Sequence, residues 1–132
     1  DLAQAPALTV NILSFGFAHG LPPEASLVFD VRFLPNPHFV PELRPFTGED
    51  AAVYAFVCES YDGVEFRRRL GEIVRWLLPH YQGEGRSYLT IAVGCTGGRH
   101  RSVAVARWLY TDLSGLEGLA VNLAHRDAAR PV

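Results

Sequence analysis

The stretch from Tyr88 to Tyr110 constrains this chain more than any other. Tyr88-Leu-Thr-Ile-Ala-Val93 is a β-branched and apolar run of strand type. It passes directly into Gly94-Cys-Thr-Gly-Gly-Arg-His-Arg-Ser102, and beyond that Val103, Arg107 and Tyr110, with the apolar Ala104, Trp108 and Leu109, recur at helical spacing. A strand, a tight glycine turn and a helix in that order leave the first helical N–H groups without intrahelical partners, facing whatever sits in the turn. Those donors and the helix dipole favour an anion. Gly97 and Gly98 permit positive φ and keep side-chain bulk away from a ligand. Arg99 and Arg101 add charge, and a guanidinium can hold a phosphate through two parallel hydrogen bonds.

The rest of the chain places that turn in an α/β domain. Leu8–Phe15 reads as a first strand, after a short lead over residues 1–7 that is expected to fray. Leu27–Val31 is a second, almost wholly apolar strand of the kind found covered on both faces of a parallel sheet. Residues 32–45 carry four prolines and are expected as a long irregular loop, a feature that is usually functional. Thr47-Gly-Glu-Asp50 has the form of a capping box and opens a helix to about Ser60. In a second helix Phe66, Leu70, Ile73, Val74 and Leu77 form the expected buried stripe and Arg67, Arg68, Glu72 and Arg75 the solvent face, with Pro79 and Gln82–Gly85 ending it. Cys58 and Trp76, on helical faces, read as core. Leu119–Leu123 is a last strand, and His125–Arg130 is a mildly basic tail. Alternating strands and helices imply a single domain with a mostly parallel central sheet flanked by helices and a phosphate-binding strand-loop-helix, with ligands at the carboxyl ends of the strands.

Composition narrows the class. With 132 residues, 48% hydrophobic, 20% charged and a net charge of −2, the chain suits one ordinary globular domain able to bury about two thirds of its unfolded surface. No apolar run approaches the ~20 residues of a membrane span and no signal-peptide pattern is present, so the cytoplasm is the expected compartment and no membrane partner is expected. Two cysteines, Cys58 and Cys95, are too few for a disulfide framework and read as free thiols. The five histidines are scattered and neither cysteine has a partner at zinc spacing, so no metal is expected. No Walker loop or dinucleotide fingerprint occurs, and no cofactor is expected. The sequence opens at Asp1 without methionine, as a processed or partial chain would.

Three readings stay open for the turn. It could bind an anion without chemistry through Cys95, Thr96, Gly97, Gly98, Arg99, His100, Arg101 and Ser102. It could be a cysteine phosphatase, since Cys95, five residues, Arg101 and Ser102 match the Cys-x5-Arg-Ser/Thr signature of protein tyrosine phosphatases; Cys95 would then be the nucleophile and Arg101 the phosphate holder. Gly94, however, stands where those enzymes generally carry histidine. Or it could be a purely structural turn, for which two arginines and a histidine are an odd choice. A second constellation, Asp30, Arg32, Asn36 and His38, lies on the proline-stiffened loop beyond the second strand. It reads either as a hydroxyl or sugar recognition set or as an Asp30–Arg32 loop-stabilising network.

Taken together, Ser14-Phe-Gly-Phe17 with Gly20, Phe29–His38, Leu43-Arg-Pro45 with Thr47-Gly48, Arg86–Thr90 and Gly94–Val103 closely resemble the carboxy-terminal domain of the RapZ (YvcJ) family of RNase adapter proteins, from about Leu8 to His125. The resemblance implies a sensor domain, not an enzyme, that binds a phosphorylated amino sugar such as glucosamine-6-phosphate. It further implies, in some members, a small RNA and an endoribonuclease as partners, with a homo-oligomer as the expected assembly. The family's usual amino-terminal P-loop nucleotide-binding domain is not in these residues. RNA-binding relatives have a tail richer in basic residues, whereas this one offers Arg126 and Arg130 beside Asp127, which puts RNA binding in question. Arg67-Arg-Arg69 fan around a helix and read as a solvated face.

Overall fold

The computed structural model describes residues 6–131. Most of the lead expected to fray, residues 1–5, lies outside the described residues; Ala7 is tied by its N–H to the Gly118 carbonyl at 2.9 Å. Four strands form one all-parallel sheet: β1 (Leu8–Gly16), β2 (Leu27–Asp30), β3 (Tyr88–Cys95) and β4 (Leu119–His125), in the order β2-β3-β1-β4. Helices α1 (Ala51–Cys58) and α2 (Tyr61–Gly83) connect β2 to β3, and α3 (Arg101–Ser114) connects β3 to β4. Both helical crossovers run in the same direction across the sheet. Right-handed crossovers therefore put all three helices on one face. The β1–β2 connection runs the opposite way and contains only a 3-10 turn at Phe17–His19, which leaves the other face without a helix among the described residues.

Burial follows from this asymmetry. Leu8, Val10 and Ile12 of β1 and Leu89, Ile91 and Val93 of β3 are buried beneath α3, while Thr9, Asn11, Leu13 and Thr90 on the opposite face are half-buried. The second strand is not covered on both faces as its composition led us to expect. It is an edge strand, four residues long, with Val28 44% exposed. Parallel sheets are normally sandwiched, so apolar content alone overstates the cover that this one receives.

The helices differ from expectation at their ends. Asp50 Oδ2 accepts from the Thr47 N–H at 2.8 Å, the return bond of a capping box, but α1 itself starts at Ala51 with Asp50 as its N-cap. Ser60 does not end α1; its hydroxyl accepts from Gly63 N–H at 3.0 Å and caps α2. Helix α2 passes through Pro79 for another turn rather than stopping there. Its buried line is Gly63, Leu70, Gly71, Val74 and Leu78, while Ile73 and Trp76 are 41% and 62% exposed, so Trp76 is not core. A Cβ at Gly71 would come 3.3 Å from both the Trp108 ring and the Asp112 carboxylate. The helices α2 and α3 thus cross closely at a glycine, which an apolar pattern does not register, and Arg75 closes the crossing with a 2.6 Å ion pair to Asp112. Cys58 is buried and both cysteines are free. Among the described residues no helix is long and apolar enough to cross a membrane.

Candidate functional site

Adjacent strands β1 and β3 send their connections to opposite sides of the sheet, and in open α/β sheets the crevice at such a point is where ligands sit. The backbone there is crowded. A Cβ at Gly16 would run into the Gly97 carbonyl, and one at Gly98 would lie 2.5 Å from the Gly16 nitrogen. Gly98 also has φ +79°, so both its conformation and its surroundings call for glycine. Gly94 is fixed by different neighbours: a Cβ would come 2.5 Å from Phe15 Cζ and 2.7 Å from Phe17 Cε2. Those rings fill the place where the phosphatase signature carries histidine.

From Gly97 to His100 the loop N–H groups find no backbone acceptor among the described residues, and α3 begins at Arg101. A cavity of about 550 Å³ opens over this loop. The loop and the first helical residue contribute Cys95, Thr96, Gly97, Arg99, His100 and Arg101 to its lining. Asn36, His38 and Phe39 come from the proline-rich loop, and His19 from the turn after β1. Arg130 and Pro131 of the tail complete it. Among the described residues three arginines and three histidines line the cavity, and no carboxylate does.

The individual side chains are held firmly. Arg101 is only 6% exposed; it donates to the carbonyl oxygen of Arg32 and, at 3.4 Å each, to the Leu34 carbonyl and the Thr96 hydroxyl. Arg99 donates to the Pro45 carbonyl at 2.5 Å and the Ala128 carbonyl at 3.3 Å. His100 Nε2 lies 3.0 Å from the Arg44 carbonyl, and burial holds its imidazole below its ordinary pKa. Cys95 Sγ donates to Ser102 Oγ at 3.1 Å, both buried. Ser102 and Gly98 support the loop from behind without lining the cavity.

The second constellation divides. Asn36 and His38 reach the cavity, on a 3-10 turn (Pro37–Phe39) that Asn36 caps by accepting from the His38 N–H at 3.1 Å. Asp30 and Arg32 pair with each other at 2.6 Å outside the lining, and this hydrogen-bonded pairing holds the Asp30 carboxyl below its usual range. The Arg32 guanidinium also covers the Phe17 ring at 4.0 Å.

The sequence reading missed the tail. Instead of trailing away, it folds back beneath the site, pinned by Asp127, which is 1% exposed. Asp127 accepts from the Gly16 N–H at 2.8 Å, from Arg126 at 2.9 Å and from Arg130 Nε at 2.7 Å. Burial alone would raise its pKa, but these donors outweigh that and bring the carboxyl down to about 2. The one signal available was Asp127 itself, an acidic residue amid the arginines of a tail read as basic.

The comparisons agree with this architecture. The model of the RapZ C-terminal domain matches residues 8–129. A nucleotide-binding protein of Symbiobacterium thermophilum is 52% identical over 128 residues, covering 97% of this chain and 42% of that protein. One of Trichlorobacter lovleyi is 55% identical over 119 residues, covering 90% and 41%. Another, of Geobacter sulfurreducens, is 52% identical over 120 residues, covering 91% and 42%. The chain thus spans less than half the length of these relatives. With nearly all of the strand, loop and tail framework inside the matched span, the chain belongs to the RapZ C-terminal domain family.

Proposed function

We propose that this domain is a sensor for a phosphorylated amino sugar of the glucosamine-6-phosphate type, bound in the cavity over the Thr96–Arg101 loop. The observation that carries the reading is the lining itself: Arg99, Arg101 and Arg130 converge with free loop N–H groups and no carboxylate. An anion is the ligand such a site favours. A cavity of about 550 Å³ is far larger than a phosphate ion fills, and Asn36, His38 and His19 in its lining offer hydroxyl-recognising groups. The phosphate lies on the loop and the sugar ring reaches toward Asn36 and His38. Occupancy of the cavity is then the state that a regulatory partner, an RNA or an endoribonuclease, reads.

Binding is favoured over hydrolysis because, among the described residues, the lining offers no carboxylic acid to protonate a leaving group. Nucleotide binding, the property in the relatives' names, belongs to proteins more than twice this length.

Thermal unfolding with increasing glucosamine-6-phosphate, glucosamine, inorganic phosphate and AMP tests the proposal. A ligand that binds only the folded state raises the midpoint in a concentration-dependent way. The phosphosugar is expected to stabilise most and glucosamine not at all. Absence of stabilisation by any phosphorylated compound, or a larger effect from AMP, would overturn it.

A further inference from the structure

Arg99 and Arg101 are tied through their terminal nitrogens to protein carbonyls. Arg130 is bound differently. Its Nε donates to Asp127 Oδ1 at 2.7 Å, while neither terminal nitrogen has a hydrogen-bond partner among the described residues, and the side chain is 52% exposed at the cavity wall. A guanidinium presents donors on more than one edge, so a carboxylate on Nε fixes the plane and leaves the terminal nitrogens to receive a second anion. Asp127 is itself immobile, because Gly16 N–H and Arg126 hold the same carboxylate and the Ala128 carbonyl is pinned by Arg99.

We infer that Arg130 is the ligand-gripping arginine of this cavity, reaching the phosphate from the tail that packs against the loop, and that Asp127 is its positioning residue. The inference rests on the anion-binding reading above but assigns the grip to the tail rather than to the loop motif. The tail is then part of the binding site, and a chain with an intact glycine loop but no Arg130 binds poorly.

A double-mutant cycle on the full chain tests this, with glucosamine-6-phosphate and inorganic phosphate as probes in calorimetric titration. Arg130→Ala is expected to weaken both probes by roughly 10- to 100-fold, the loss of a charge-assisted bidentate contact, with the ligand-free unfolding midpoint almost unchanged. Arg130→Lys is expected not to restore affinity, since one ammonium cannot span Asp127 and the phosphate together. Asp127→Asn should weaken binding in the parent but add no further loss to Arg130→Ala, the coupling expected when one residue acts through the other. A merely structural Asp127 would cost the same in both backgrounds, and that result overturns the positioning role. Parent-like affinity in Arg130→Ala overturns the grip, whereas a parent that binds neither probe overturns the sensor reading itself.

Discussion

The guanidinium of Arg101 donates to the carbonyl oxygen of Arg32, a residue 69 positions earlier in the chain. One side chain therefore does two things. It charges the cavity, and it ties the proline-rich loop to the start of α3. Arg101→Ala is expected to lower affinity for a phosphosugar by roughly several-fold, since Arg101 charges the cavity while its terminal nitrogens stay on protein carbonyls and the Thr96 hydroxyl. It should also speed amide hydrogen exchange in residues 32–38 while leaving the sheet protected. Calorimetry and exchange mass spectrometry read the two effects separately. An unchanged dissociation constant would place the ligand elsewhere.

Recognition of the sugar should be separable from capture of the phosphate. Asn36 lines the cavity, whereas the Asp30 carboxylate is occupied by Arg32. Asn36→Ala is expected to weaken glucosamine-6-phosphate several-fold more than inorganic phosphate. Asp30→Ala, acting only through the loop, should weaken the two ligands by similar and smaller factors. The opposite ranking, with Asp30→Ala selective for the amino sugar, would show the carboxylate turning to the ligand's ammonium group.

Cys95 separates sensor from phosphatase. A serine hydroxyl at this position can still donate to Ser102, so Cys95→Ser is expected to keep phosphosugar affinity within a few-fold. The parent should release no product from an aryl phosphate between pH 5 and 8. Cysteine-dependent turnover that persists through repurification would sink the sensor reading.

Acid should loosen the tail through Asp127. Its carboxyl titrates at about 2 in the folded chain against an ordinary 3.8, so the unfolded state binds more protons between these values. The stabilisation is fully present above about pH 4 and is lost as the pH falls toward 2. It amounts to on the order of 2 kcal/mol at neutral pH. Urea unfolding of Asp127→Asn beside the parent should show a gap that is constant from pH 5 to 7 and closes below pH 4. A gap independent of pH would assign the loss to packing.

RNA binding by the isolated domain is expected to be weak and strongly salt-dependent. Arg68 and Arg69 pair with Glu65, and Arg75 with Asp112, so much of the surface charge is already neutralised. Few cations remain to displace counterions from a phosphate backbone. Filter binding at physiological salt checks this; nanomolar affinity would require a basic surface built by assembly of several copies.

The strands and helices were legible because side-chain periodicity is local: Leu8–Phe15, Tyr88–Val93 and the helix after Arg101 each announce themselves within a dozen residues. The glycine loop was legible for the same reason. What could not be read locally was cover and return. Val28 looks buried in a string of apolar residues, but its exposure depends on strand order. Trp76 looks like core until the close crossing at Gly71 rotates the buried line of α2 toward Leu70, Val74 and Leu78. Asn36 and His38 line the cavity on their rigid loop, yet nothing nearby in the sequence distinguishes them from Asp30 and Arg32, which pair with each other outside the lining. Arg130 reaches the site through a bond network anchored at Gly16, a relationship that no sequence window spans.

That last connection orders events during synthesis. Asp127 and Gly16 are 111 positions apart, and β4, which leads into the tail, docks against β1. A ribosome adding about 5–20 residues per second has already made β1, the glycine loop and α3 before Arg130 is joined to the chain. Translation interrupted between the end of α3 and the tail yields a product with its glycine loop intact and its cavity incomplete.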